Sequence, residues 1–99
     1  MQERSVSVVV PAYNEEKVID TSLRRIHEFL EHNFTQFEVI VVDDGSTDST
    51  VSAVERLSAK RQRIQLLKNE KNRGKGYSVK RGMLASKSDY ILFTDADLS

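Results

Sequence analysis

The chain has 99 residues, of which 38% are hydrophobic, and its 15 basic and 15 acidic side chains cancel to zero net charge. This is the size of one small domain, and no stretch approaches the roughly 18 apolar residues of a membrane-spanning helix. The absence of cysteine excludes disulfides, zinc–thiolate sites and thiol nucleophiles, and the N-terminus from Met1 to Arg4 lacks the pattern of a signal peptide. We expect a cytoplasmic domain, or one at the cytoplasmic face of a membrane, whose chemistry uses carboxylates, hydroxyls or a hard metal.

The charge is distributed unevenly along the chain. Residues 1–59 carry 5 basic and 11 acidic side chains (−6), residues 60–87 carry 10 and 1 (+9), and residues 88–99 carry 0 and 3 (−3). A solvated helix face and a phosphate-facing surface both fit the basic segment, and an anionic membrane surface is also compatible with it. Because Tyr77 is its only aromatic residue and no RNA-binding signature is present, we do not expect nucleic-acid binding.

The first 60 residues predict two buried strands and two helices. Residues 5–11 are mostly β-branched and apolar, which indicates a strand that ends at the proline. Apolar side chains at helical spacing predict a helix over residues 16–31. Residues 37–42 predict a second strand, and residues 49–60 predict a second helix after a turn-rich acidic loop.

The second part of the chain repeats this alternation. Residues 63–68 predict a short third strand, and residues 69–76 form a polar, basic loop. Residues 77–86 have helical spacing, although Gly82 weakens this helix by about 1 kcal/mol of propensity unless another backbone packs against it. Residues 89–94 predict the fourth strand.

The order β-α-β-α-β-α-β with nearly continuous apolar strands predicts a three-layer, Rossmann-like α/β fold. We expect a mainly parallel sheet of strand order 3-2-1-4 with helices on both faces. Ligands of such sheets bind outside the carboxyl ends of the strands. Polar residues follow three of the four strands at this edge, over residues 13–15, 43–44 and 95–97. These three loops are therefore predicted to form one site.

The D-x-D sequence of Asp95, Ala96 and Asp97 is the candidate metal motif. In an extended chain the two carboxylates lie on the same side, where they can share a cation. Such hard oxygen ligands suit Mg²⁺ or Mn²⁺, which substrate phosphates often help to hold. A lone D-x-D is weak evidence, because aspartates are common in loops that follow strands.

A second acidic pair, Asp43 and Asp44, precedes a glycine. Helix capping needs only one such residue, and two adjacent carboxylates repel unless a hydrogen-bond donor such as a base N–H or a ribose hydroxyl lies between them. Tyr13 is either a core residue or a stacking platform for a base. Glu16 is explained by the first turn of the following helix, where a carboxylate is favourable.

The basic loop contains Asn72-Arg73-Gly74-Lys75-Gly76 directly before a predicted helix. Backbone N–H groups at a helix N-terminus favour phosphate, and two cations add to this preference. The loop matches neither the Walker A pattern nor G-x-G-x-x-G. A role near the phosphates of a nucleotide and a solvated loop both remain open from these residues alone.

Four ordered motifs together resemble one family, the family 2 inverting glycosyltransferases of the GT-A fold. They are V-S-V-V-V-P-A-Y-N-E-E, V-I-V-V-D-D-G-S-T-D-S-T, N-R-G-K-G and T-D-A-D-L-S. The chain is most similar to the dolichyl- and polyprenyl-phosphate sugar synthases, and the resemblance covers nearly its whole length. It implies that residues 1–99 are the nucleotide-sugar-binding, N-terminal half of a glycosyltransferase domain, which ends just after the D-x-D.

The resemblance also implies roles for site residues. Those around the base and ribose would be Pro11, Ala12, Tyr13 and Glu15, with Asp44 accepting from a base N–H and Asp43 beside it. The loop of Arg73, Gly74 and Lys75 would lie near the diphosphate. Asp95, Ala96 and Asp97 would form the Mg²⁺ or Mn²⁺ motif, in which Asp97 is favoured as the direct ligand and Asp95 as the contact to ribose or sugar. UDP is favoured as the nucleotide, with GDP as the alternative.

Members of this family transfer a sugar with inversion to an acceptor, here a polyprenyl phosphate by similarity. Their later half supplies the catalytic base, so no catalytic residue is assigned and the chain alone is expected to be catalytically incomplete. The alternative is a non-enzymatic nucleotide-binding or oligomerising module. A phospho-receiver domain is excluded, because it needs both an acidic pair after the first strand and a phosphorylatable aspartate after the third, and this chain lacks that combination. We also expect self-association, because an uncovered fourth strand invites pairing.

Overall fold

The computed structural model describes residues 4–98. Met1 to Glu3 and Ser99, the last residue of the T-D-A-D-L-S motif, lie outside the described residues. Within them, strands and helices alternate as predicted. The elements are β1 (Val6–Ala12), α1 (Ile19–Asn33), β2 (Phe37–Asp43), α2 (Thr50–Lys60), β3 (Ile64–Lys68), α3 (Lys75–Ala85) and β4 (Tyr90–Phe93).

The four strands form one parallel sheet in the order β3-β2-β1-β4. The predicted fold class and strand order are thus confirmed. Val6 of β1 pairs with Phe37 of β2 on one side and with Tyr90 of β4 on the other. The central strands β1 and β2 are also the most apolar, as expected for strands that are covered on both faces.

The alternation of side chains along the strands divides the core between the two faces of the sheet. Val8 and Val10 of β1 pack in one cluster with Ile19 and Leu23 of α1 and with Leu57 of α2. The opposite face carries a smaller cluster of Val9, Ile40 and Val42. Since Gly82 of α3 lies against Val9 and Val42, α3 covers this second face. The result is a three-layer Rossmann-like domain.

Close packing of α3 on the sheet explains the glycine at position 82. A Cβ atom at this position would overlap Val9 Cγ1 and would lie 3.1 Å from Val9 Cγ2 and 3.2 Å from Val42 Cγ2. The sequence allowed for a closely packed backbone at Gly82, and the close neighbours are instead two valine side chains. The glycine lets α3 lie directly on the central strands.

Two predicted boundaries also need correction. Pro11 does not end β1, which continues to Ala12 and pairs Pro11 with Val42. Because β4 pairs with β1 only from Val6 to Val9, no strand among the described residues requires an N–H at Pro11 on that side. Helix α1 begins at Ile19, later than predicted, because the three preceding residues form a turn.

Candidate functional site

A cavity of about 370 Å³ lies at the carboxyl ends of β1 and β2, beside the N-terminus of α3. The loops after β1, β2 and β4 meet here with the loop before α3, as the sequence predicted. Its lining residues are Pro11, Ala12, Tyr13, Glu15, Asp44, Asn72, Gly74, Lys75, Ser78, Asp95, Ala96 and Asp97. All the predicted site residues except Asp43 and Arg73 are in this lining, whereas Asn72 and Ser78 were not predicted.

The loop after β1 is held by the loop after β2. Asn14, which has a positive φ of 51°, donates its backbone N–H to Ser46 Oγ at 2.8 Å and accepts from Thr47 N at 2.8 Å. Glu15 N donates to Thr50 Oγ1 at 2.8 Å. These bonds fix the backbone at Asn14 and Glu15, directly after Tyr13, without a ligand.

Glu16 also forms hydrogen bonds between the loop after β1 and the loop after β2. Its backbone N–H donates to Asp48 Oδ2 at 3.2 Å, and its Oε1 accepts from Ser49 N at 2.8 Å, at the start of α2. The interpretation of Glu16 as a first-turn residue of its own helix is therefore wrong. The carboxylate instead accepts from the N-terminus of the neighbouring helix, where it is equally favourable.

Asp43 stabilises the turn after β2 and lies outside the cavity lining. Its carboxylate accepts from Ser46 N at 2.9 Å and from Ser46 Oγ at 2.5 Å. Gly45 follows with a φ of +79°, and a Cβ there would lie 2.8 Å from the backbone N of Asn72. Only glycine fits this position, because the two loops pack backbone against backbone.

Asp44 holds the loop before α3. Only 5% exposed, its carboxylate accepts from Arg73 N at 2.7 Å, from Gly74 N at 2.9 Å and from Asn69 Nδ2 at 2.9 Å. Burial raises the pKa of Asp44, but these bonds, together with one from Ser78, outweigh it and hold the pKa below its ordinary value. Asp44 is therefore an ionised anchor for the two peptide groups that precede Lys75.

Asn69 is the centre of the network that sequence reasoning missed. Its buried amide donates to Asp44 Oδ1 and to Ser78 Oγ, each at 2.9 Å, and its Oδ1 accepts from Arg81 Nη1 at 2.9 Å. Arg81 also donates to the carbonyl oxygen of Lys68 at 2.7 Å. This network joins the end of β3 to α3. An asparagine in a polar loop carries no signal of such a role.

Arg73 contributes to the site through its backbone. Its N–H bonds to Asp44, while its guanidinium lies 5.4 Å from the ring centroid of Tyr77. This cation–π contact places the guanidinium beside α3, and Arg73 is not among the residues that line the cavity. Lys75 is thus the cation of the N-R-G-K-G loop that lines the cavity.

The D-x-D motif is a turn, which corrects the expectation of an extended chain. Leu98 N donates to the carbonyl oxygen of Asp95 at 3.0 Å, and Leu98 has a φ of 60°. Ala96 is 2% exposed and packs into the core on the α1 side of the sheet. With Ala96 anchored in the core, Asp95 and Asp97 both line the cavity.

Negative charge is concentrated on the side of the cavity that the D-x-D turn and Glu15 form. Burial raises the pKa of Glu15, and the charges of Asp97, Asp48 and Asp95 raise it further. Asp95 forms an ion pair with Lys75. The carboxylates of the D-x-D and the carboxylate of Glu15 therefore share one electrostatic environment, into which Lys75 brings a positive charge.

The carboxylates of Asp95 and Asp97 fit a divalent cation whose remaining ligands come from a bound substrate. Among residues 4–98, no three His, Cys, Asp or Glu side chains are arranged to hold a metal by themselves. Mg²⁺ and similar cations are commonly held by one or two carboxylates together with substrate phosphates. Asp95 and Asp97 match such an open site, because the cavity beside them leaves room for phosphate oxygens.

Fold and cavity together define an α/β domain of the class that binds ligands at the carboxyl edge of a parallel sheet. Comparison with known proteins identifies the family. Residues 7–99 match the family described as Glycosyl transferase family 2, to which the chain belongs. The predicted family is therefore confirmed.

Relatives include the dolichyl-phosphate beta-glucosyltransferase of Drosophila melanogaster, which is 45% identical over 100 residues. That match covers 93% of this chain and 30% of the relative. The enzyme of the same name from Homo sapiens is 38% identical over 102 residues, covering 95% of this chain and 31% of the relative. This chain thus spans about a third of the length of such relatives.

Solved structures agree with the fold. A mannosyltransferase from Pyrobaculum calidifontis in complex with GDP-Man and Mn²⁺ superimposes with a TM-score of 0.87 at 33% identity, over 97% of this chain and 28% of that one. Glucosyl-3-phosphoglycerate synthase from Mycobacterium tuberculosis, in complex with Mn²⁺, UDP and glucosyl-3-phosphoglycerate, gives 0.77 at 29%, over 95% and 34%. Both neighbours combine a nucleotide with Mn²⁺, in agreement with the predicted cofactor.

Within residues 4–98, no helix has both the length and the apolar character required to cross a membrane.

Proposed function

We propose that this chain binds a nucleoside diphosphate sugar together with Mg²⁺ or Mn²⁺, as the donor-binding part of a glycosyltransferase. The observation that carries the proposal is the single cavity into which four loops bring Tyr13, Asp44, Lys75 and the Asp95/Asp97 pair. The complexes of its structural neighbours with GDP-Man or UDP and Mn²⁺ support it.

In this proposal, Pro11, Ala12 and Tyr13 contact the base, and Glu15 contacts the base or ribose. Tyr13 is half-exposed, so a ring face is available for stacking. Lys75 and the backbone around Gly74 approach the diphosphate. The bound metal would be held by Asp97 and Asp95, and it would supply charge stabilisation to the departing diphosphate.

The role of Asp44 differs from a simple contact to the base. A carboxylate has about four acceptor sites, and Asp44 already receives Arg73 N, Gly74 N, Asn69 and Ser78. A base N–H would have to displace or share one of these donors. We therefore propose that Asp44 acts chiefly by holding the loop of residues 69–74 before α3, which we call the phosphate-side loop. The base is then a secondary partner of Asp44.

UDP is the proposed nucleotide and GDP the alternative. Structural neighbours bind one or the other. Tyr13 offers a stacking face for uracil, while the uracil imide would share Asp44 with one of the donors from which it already accepts. In a protein of the relatives' length, the donor site would serve inverting transfer to a polyprenyl phosphate at the cytoplasmic face of a membrane. The dolichyl-phosphate transferases among the relatives support this acceptor class.

A second property is favoured by the exposed edge of the sheet. Leu92 and Phe93 of β4 are 58% and 57% exposed, and within residues 4–98 β4 pairs only with β1. An apolar strand with one unpaired edge tends to pair with another strand. We propose that the 99-residue chain self-associates through β4, which also fits the alternative of an oligomerising module.

Isothermal titration calorimetry tests the nucleotide site. UDP, GDP and their sugar conjugates are titrated into the chain with and without Mn²⁺, and into the Asp97→Ala variant. The proposal predicts UDP binding that Mn²⁺ strengthens and that Asp97→Ala weakens to the metal-free level. Binding that is unchanged in Asp97→Ala contradicts the metal role, and the absence of binding by all nucleotides contradicts the site itself.

A further inference from the structure

Lys75 joins the two functional parts of the cavity. It is the first residue of α3, directly after Gly74, whose N–H is fixed by Asp44. From this position its ammonium group reaches across to the D-x-D turn and forms the ion pair with Asp95. The phosphate-side loop and the metal motif are therefore in direct electrostatic contact.

The ion pair between Lys75 and Asp95 is weak enough for Asp95 to exchange Lys75 for another cation. The side chains of Lys75 and Asp95 are 57% and 38% exposed, so solvent reaches both partners. An exposed lysine–carboxylate pair is weak, and a lysine carries its charge on a flexible stem with three rotatable donors. A divalent cation that binds Asp95 brings twice the charge and repels the ammonium group from the same carboxylate.

We propose that Lys75 and the divalent cation are alternative partners of Asp95, and that Lys75 turns to the donor diphosphate when the cation takes the carboxylate. This inference rests on the proposed function for its second step. The diphosphate supplies acceptor oxygens in place of those that Lys75 loses when the cation takes Asp95. Lys75 is in this sense a positioning residue that couples metal binding to donor binding.

If this exchange occurs, removing the ammonium group of Lys75 changes the affinities for Mn²⁺ and for UDP in opposite directions. Removing the ammonium group frees Asp95 for the cation, so Mn²⁺ should bind the protein alone more tightly. The same change removes a partner of the diphosphate, so UDP should bind the Mn²⁺-loaded protein more weakly. A residue that only supports the fold would lower both affinities.

The experiment compares Lys75→Met with Lys80→Met, which removes the same charge from the same helix at a position outside the lining of the D-x-D cavity. Free Mn²⁺ is measured by electron paramagnetic resonance during titration of each protein, and UDP affinity is measured by calorimetry at saturating Mn²⁺. We expect Lys75→Met to bind Mn²⁺ about 2- to 5-fold more tightly than Lys80→Met, the range for an exposed ion pair. UDP affinity should fall in Lys75→Met alone.

Equal Mn²⁺ affinities in the two variants, or no saturable Mn²⁺ binding to either, would overturn the proposal. A higher Mn²⁺ affinity of Lys75→Met with unchanged UDP affinity would overturn its second step. If the unmodified chain binds Mn²⁺ but no UDP, the proposed function fails, whereas the Mn²⁺ comparison still tests the competition for Asp95.

Discussion

Replacing Gly82 with alanine tests how α3, and with it the phosphate-side loop, is positioned on the sheet. Gly82 is buried within α3, where its hydrogen faces Val9 and Val42, both fully buried. The added methyl group would overlap Val9 Cγ1. Val9 pairs with strands on both sides and is β-branched, so it has little freedom to move away.

Two opposing effects decide the magnitude. Alanine is better than glycine in a helix interior by about 1 kcal/mol, whereas overpacking a core costs about 1–3 kcal/mol. Because Val9 is constrained, the cost should lie in the upper part of that range. We expect Gly82→Ala to lower the free energy of unfolding by about 1–2 kcal/mol, and thus to lower the Tm by about 5–15 °C in a domain of this size.

Gly76→Ala is the matched control on the same helix. A Cβ at Gly76 would meet no atom within 4 Å in the part of the chain that the structure describes, apart from its own helix and chain neighbours. This substitution should therefore raise the free energy of unfolding by about 0.4–1 kcal/mol. Urea unfolding followed by circular dichroism measures both variants. A Gly82→Ala protein as stable as Gly76→Ala would refute the close packing of α3 on Val9.

Three further predictions concern the site and the sheet edge. Asp44→Asn places an amide donor against the N–H groups of Arg73 and Gly74 and should lower the free energy of unfolding by about 1.5–3 kcal/mol. In urea titrations this loss should shrink as the pH falls through the lowered pKa of Asp44. A loss that does not depend on pH would contradict the ionised role of Asp44. Glu15→Gln should raise the Tm at pH 7, because the raised pKa of Glu15 means that its charge opposes folding; the gain should vanish at a pH below its ordinary pKa, and a gain that persists there would exclude the electrostatic cause. Phe93→Lys should shift sedimentation profiles toward monomer, whereas Phe29→Lys, at a 62% exposed site on α1, should not; identical profiles for the two variants argue against pairing through β4.

The elements could be predicted because their patterns are simple. Continuous β-branched runs mark the buried parallel strands, and the helices follow from apolar spacing. The convergence of Tyr13, Asp44 and Asp97 could also be predicted, because parallel strands bring their carboxyl ends to one edge. These predictions need only the order of the elements along the chain, without knowledge of side-chain contacts.

The missed features depend on contacts between distant parts of the chain. Asn69 is recognisable as a buried hub only when Asp44 and Ser78 are seen on either side of it. The turn at Asp95 and the continuation of β1 through Pro11 depend likewise on tertiary context, namely the burial of Ala96 and the short pairing with β4. Local sequence patterns carry little information on such contacts.

Mapping the UDP–Mn²⁺ complex by ¹H–¹⁵N NMR locates the nucleotide and the metal on the chain. UDP is added first, and chemical-shift changes are recorded; Mn²⁺ is then added at substoichiometric concentration, and paramagnetic broadening is measured. The proposed site predicts shift changes around residues 12–15, 44 and 72–76, with the strongest broadening at residues 95–97. Changes centred instead on the larger cavity of about 630 Å³ at the opposite end of the sheet, around His27, Phe37 and Arg61, would contradict it.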